Sequence, residues 1–121
     1  MHPFISVLIV LNAALHLWFL ILEMFLWQKP LGLKTFRLEK SFAQASASLA
    51  KNQGLYNGFL AAGLLWSLLA TDPSTAHAFQ VFFLSCMTVA GIYGAITVNK
   101  RILFIQCFPA LITLALVIFT G

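Results

Sequence analysis

Every Lys and Arg of the chain falls in one of two short stretches, Lys29, Lys34, Arg37, Lys40 and Lys51 in the first and Lys100 and Arg101 in the second. The remainder is almost free of charge, because only Glu23, Glu39 and Asp72 are acidic. Four apolar runs lie between or beside the basic stretches, each close to the ~20 residues that cross a bilayer as a helix. The expectation is an integral membrane protein.

Composition points the same way. Of the 121 residues, 61% are hydrophobic and 8% charged, against roughly 45–50% and about 25% in soluble domains. The net charge of +4 does not argue for a nucleic-acid partner. The basic residues flank the apolar runs, where they set orientation and meet anionic lipid. The first run has only His2 before it and no small-residue cleavage site, so it is read as a mature helix and not a signal peptide. The length allows a single integral membrane domain, 1–121.

The expected fold class is all-α, a four-helix transmembrane bundle. The spans are placed at about 4–28, 52–70, 76–98 and 102–119. Lys29-Pro30-Leu31-Gly32 is read as the end of the first helix. Leu38, Phe42, Ala45 and Leu49 then recur at helical spacing, which predicts a short interfacial helix between the first and second spans. Thr71-Asp72-Pro73-Ser74 reads as a turn with Ser74 or Thr75 capping the third span. Asn99-Lys100-Arg101 reads as the last turn, and Pro109 is expected to kink the fourth span.

The loops before the second and fourth spans hold all the Lys and Arg. The positive-inside rule therefore puts both termini on the non-cytoplasmic side of a bacterial inner membrane. It also puts Gln28, Asn52, Asn99 and Ile102 near the cytoplasmic face.

With depth assigned, polar residues converge. Asn12, His16, Glu23 and Trp27 share one stripe of the first helix with Phe19. Asn52, Gln53, Tyr56 and Asn57 open the second span, Tyr93 and Thr97 share a face of the third, and Gln106 lies one turn into the fourth. Such groups are costly in lipid, so they are expected to turn inward, forming a polar pocket near the cytoplasmic face. The candidate ligand-binding set is Glu23, Asn52, Gln53, Tyr56, Asn57, Tyr93, Thr97 and Gln106. Glu23 and His16, about 10 Å apart along the helix, are the candidates for acid–base chemistry. The alternative is that the same groups serve only as packing glue, at about 0.6 kcal/mol each.

Other motifs exclude more than they assign. There is no C-x-x-C, H-E-x-x-H, G-x-S-x-G or phosphate-loop pattern, and neither a metal nor a cofactor is expected. Cys86 and Cys107 are placed at different depths, which argues against a disulfide. Gly54, Gly58 and Ala62 form a small-residue stripe suited to close helix packing, within one bundle or between copies in a homo-oligomer. Trp27 and Trp66 read as interface anchors.

Leu22-Glu23-Met24-Phe25-Leu26-Trp27, the block Asn52-Gln53-Gly54-Leu55-Tyr56-Asn57-Gly58 with the residues through Leu64, and Val89-Ala90-Gly91-Ile92-Tyr93-Gly94-Ala95 resemble the signature blocks of the domain of unknown function 1304 family. The resemblance covers nearly the whole chain and implies a four-helix bacterial membrane protein, with no activity to transfer. Three functions stay open. The first is binding, or transformation, of a small amphipathic or lipid-like ligand around Glu23. The second is a small oligomeric proton- or cation-coupled transporter, and the third a structural subunit that binds a partner membrane protein.

Overall fold

The computed structural model describes residues 2–98 and 100–120; Asn99, expected in the last turn, lies outside them. The chain is all-α, with no strand among the described residues. Helix α1 is Pro3–Met24, α2 Pro30–Phe36, α3 Lys40–Leu69 and α4 Pro73–Thr97; Lys100–Ile102 (α5), a π-helical segment Leu103–Cys107, and α6 (Phe108–Thr120) follow. Two of these, α1 and α4, are long and apolar enough to cross a membrane, and Phe104–Thr120 is a shorter apolar helix.

Several boundaries differ from the sequence reading, each for a local reason. Helix α1 stops at Met24, not Gln28. Its last turn widens, the Leu26 N–H reaching back to Ile21 O at 3.2 Å. Pro30 begins α2 instead of ending α1, which suits its fixed φ and missing N–H at the first helical position. Arg37 closes α2 in the left-handed region at φ 55, and the Leu38 N–H bonds back to Leu33 O at 2.9 Å. Asp72, not Ser74 or Thr75, caps α4: its carboxylate accepts from the Thr75 N–H at 3.1 Å and hydroxyl at 2.8 Å. Pro109 has no N–H and crowds the carbonyl of Ile105, and the π-helical widening falls at that carbonyl.

The largest correction concerns α3. The separate interfacial helix built on Leu38, Phe42, Ala45 and Leu49 does not form. Lys40 to Leu69 is one helix of 30 residues, and the short helix lies before it, at Pro30–Phe36. The inward stripe of α3 is Ala43, Ala50, Gly54, Asn57, Ala61 and Leu64, spaced by threes, fours and sevens without a break. Phe42 and Leu49 point outward, Leu49 being 73% exposed. The stripe between Lys40 and Asn52 is made of alanines, which have high helix propensity and no Pro or Gly among them to stop the helix.

Two compact units share these helices. One joins the chain up to Leu15 with that from Leu60 onward. Its core is Ile5, Ile9 and Ala13 of α1, Ala61 and Leu64 of α3, Leu84 and Met87 of α4, and Ala110 and Val117 of α6. Inside it the Asn12 side-chain amide donates to the Thr113 hydroxyl at 2.8 Å, and Gly91 of α4 lies against the backbone of Cys107. The other unit is His16–Phe59 and contains Glu23.

Candidate functional site

Glu23 stands on the last turn of α1 and Asn57 in the middle of α3. The Asn57 amide nitrogen donates to Glu23 Oε1 at 2.5 Å. Both are buried, at 9% and 4% exposure. Glycine makes the approach: a Cβ on Gly54, one turn before Asn57, would stand 3.2 Å from Leu20 O and 3.1 Å from the Glu23 Cβ, and one on Gly58 would meet the end of the Leu20 side chain at 2.7 Å. The Gly-x-x-Asn-Gly face of α3 therefore lies directly on α1.

The turn after α1 is fastened to α3 by Trp27. Its indole N–H donates to Ser46 Oγ at 3.0 Å, and the Ser46 hydroxyl in turn donates to Phe42 O at 2.7 Å. The ring also packs on Phe36 of α2, centroids 5.0 Å apart. Gly32 presses α2 onto the carbonyl of Leu26, leaving no room for a side chain. These contacts border a cleft of about 390 Å³ walled by Glu23, Met24, Trp27, Gln28, Lys29 and Lys51, with Phe25 and Ala47. Glu23, Trp27, Gln28, Lys29 and Lys51 thus line a single space. Such a set can take an anionic group on the lysines and a hydroxyl or amine donor on Glu23.

The expected site residues are distributed unevenly. Glu23 and Asn57 meet. His16 is fully buried and sets its ring edge to Phe19 at 5.5 Å, within the same α1 stripe as Asn12 and Glu23. Asn52, Gln53 and Tyr56 lie on the exposed side of α3, Asn52 donating to Ser48 O and Tyr56 packing edge-on to Phe59. In the other unit Tyr93 is 69% exposed and Thr97 is exposed, the Thr97 hydroxyl donating back to Tyr93 O. Gln106 is buried in the π segment. Among the described residues no group of three or more His, Cys, Asp or Glu is placed to hold a metal.

Sequence reasoning passed over Lys29, Lys51 and Gln28 as wall residues, having taken the lysines for topology signals. Reading α3 as continuous from Lys40 would have found Lys51, which precedes Gly54 by one turn.

Comparison with known proteins adds kinship and no chemistry. No solved structure matches the chain. A curated relative, "Uncharacterized protein YpaA" of Lactococcus lactis subsp. lactis (strain IL1403), is 26% identical over 113 residues, covering 91% of this chain and 93% of its own. Residues 10–118 match the profile described as "Protein of unknown function (DUF1304)". That match takes in Glu23, Asn57, Lys29 and Lys51 together, and the chain belongs to the DUF1304 family.

Proposed function

We propose that this is an integral inner-membrane protein whose four helical passes form one membrane domain, with both termini on the non-cytoplasmic side. In this reading the cleft beside Glu23, near the cytoplasmic face, binds a small amphipathic or lipid-like ligand. The membrane part is supported by what α1 and α4 expose. Only 33% and 28% of their most apolar stretches are buried inside the chain, while Phe4, Leu11, Trp18, Phe82, Val89 and Ile96 face outward. Apolar surface on that scale is not left to water. Lys29, Lys34, Arg37, Lys40 and Lys51, the larger basic group, all belong to the unit that holds the cleft.

The observation that carries the ligand reading is the buried Glu23, held by Asn57, in a cleft it shares with Trp27, Lys29 and Lys51. A cleft lined by a buried glutamate and two lysines suits a headgroup with an anionic part and a donor part, its tail running along the exposed apolar faces. The test is thermal stability of the purified protein in neutral detergent against short-chain phosphatidic acid, phosphatidylglycerol and phosphatidylcholine. An anionic amphiphile should raise the wild-type midpoint and lose that effect in Lys51→Gln. Equal responses to all three lipids, unchanged in Lys51→Gln and Glu23→Gln, reject the site. Proton-linked uptake into sealed vesicles that Glu23→Gln abolishes would replace binding by transport. Orientation is read separately, by labelling single cysteines placed at Arg37 and Thr120 from either side of the membrane.

A further inference from the structure

A second cavity, of about 650 Å³, lies in the other unit, walled by the start of α1, the end of α3, the turn after it, the start of α4 and the end of α6. We propose that it binds an uncharged amphiphile through carbonyl oxygens on its headgroup. Among the described residues, no Asp, Glu, Lys or Arg lines it. Asp72, between the wall residues Thr71 and Pro73, is not itself a wall residue, and its Oδ2 accepts from the Thr75 N–H and hydroxyl. The described wall thus offers a charged headgroup no carboxylate, ammonium or guanidinium partner, which favours a neutral one.

The polar wall residues also set which hydrogen-bond partner fits. Two hydroxyl protons are committed, Ser67 to Leu64 O at 2.5 Å and Thr120 to Leu116 O at 2.6 Å. Beside Thr71 and the buried Gln80, the wall carries two imidazoles. His2 Nδ1 accepts the Phe4 N–H at 3.1 Å, which in the neutral ring leaves the proton on Nε2. His77, on the first turns of α4, brings a second imidazole to the same wall. Imidazole donors beside the apolar side chains of Ile5, Leu68 and Val117 match a carbonyl-bearing head on a hydrocarbon tail. Two kinds of molecule carry that chemistry, a ring diketone of the quinone type and a diacylglycerol ester.

Two probes separate them, decyl-benzoquinone and dioctanoylglycerol, each titrated against the full chain in neutral detergent with binding read by native mass spectrometry. One or both should bind wild type, the one that binds naming the source. Affinity should fall about ten-fold in His77→Phe, the loss expected for one hydrogen bond, and similarly in Ala70→Trp, which fills the space from a half-buried position on its wall. Glu23→Gln should bind as wild type does. If His77→Phe fails to fold, His2→Leu, at an exposed position, replaces it. Failure of both probes on wild type, binding that survives the imidazole variant and Ala70→Trp alike, or binding lost only in Glu23→Gln would each overturn the proposal.

Discussion

The Asn57 amide donates to Glu23 Oε1 at 2.5 Å, with both side chains buried between α1 and α3. Asn57→Leu strips a buried carboxyl group of that donor, and the expected loss is about 1–3 kcal/mol. Glu23→Gln keeps an acceptor oxygen and should cost less. Unfolding in detergent of the single variants and of the Glu23→Leu/Asn57→Leu pair measures the coupling. Strictly additive losses would show that the two groups do not act on one another.

Gly91 and Gly58 make an informative contrast. A Cβ on Gly91 would stand 2.6 Å from the Cys107 backbone nitrogen, whereas one on Gly58 meets the free end of the Leu20 side chain at 2.7 Å. Backbone cannot rotate away and a leucine methyl can. Gly91→Ala is expected to destabilise by about 1–3 kcal/mol and Gly58→Ala by clearly less, read as midpoints of thermal unfolding in the same detergent.

Asp72 links stability to pH. The bonds from the Thr75 hydroxyl and N–H hold its carboxyl below the ordinary aspartate value. A depressed folded-state value means that the cap contributes fully above the unfolded-state value and is lost as pH falls through the folded one. The thermal midpoint of wild type should therefore drop more steeply than that of Asp72→Asn below the ordinary aspartate range. Parallel curves would remove Asp72 from the account.

Trp27 forms part of the cleft wall with Lys51. In a Trp18→Phe/Trp66→Phe background its fluorescence becomes the only tryptophan signal and should change as an anionic amphiphile is titrated. Lys51→Gln should shift that titration about ten-fold to weaker binding, as expected for one charge-assisted contact. An unchanged midpoint would place the amphiphile elsewhere on the protein.

The helical class and most of the polar stripe of α1 could be read from spacing alone: Asn12, His16, Phe19 and Glu23 are all buried, whereas Trp27, read on the same stripe, lies past the end of α1. The register of α3 could not. Leu38, Phe42, Ala45 and Leu49 looked like a buried face because apolar periodicity marks the core of a protein in water. In the membrane setting proposed above, large apolar side chains would serve equally well outside, and small residues would mark the contact. Ala43, Ala50 and Gly54 were that signal. The same reasoning explains Tyr93 and Thr97, taken for inward groups but exposed on α4: Thr97 satisfies its hydroxyl on its own helix, so no neighbour is required. Lys29 and Lys51 were legible as charges but not as cleft walls, because that role depends on α3 continuing unbroken past Asn52.

The wide turn at Leu103–Cys107 has a consequence for how relatives of this chain can vary. A π-helical turn holds one residue more than the α-helical turn it replaces. Removing one residue between Leu103 and Ile105 would let the strip tighten while Cys107 stays under Gly91 and Thr113 stays beside Asn12. Length changes elsewhere in α4 or α6 would rotate those pairs apart. This short strip is where natural insertions and deletions should collect without disturbing either neighbour.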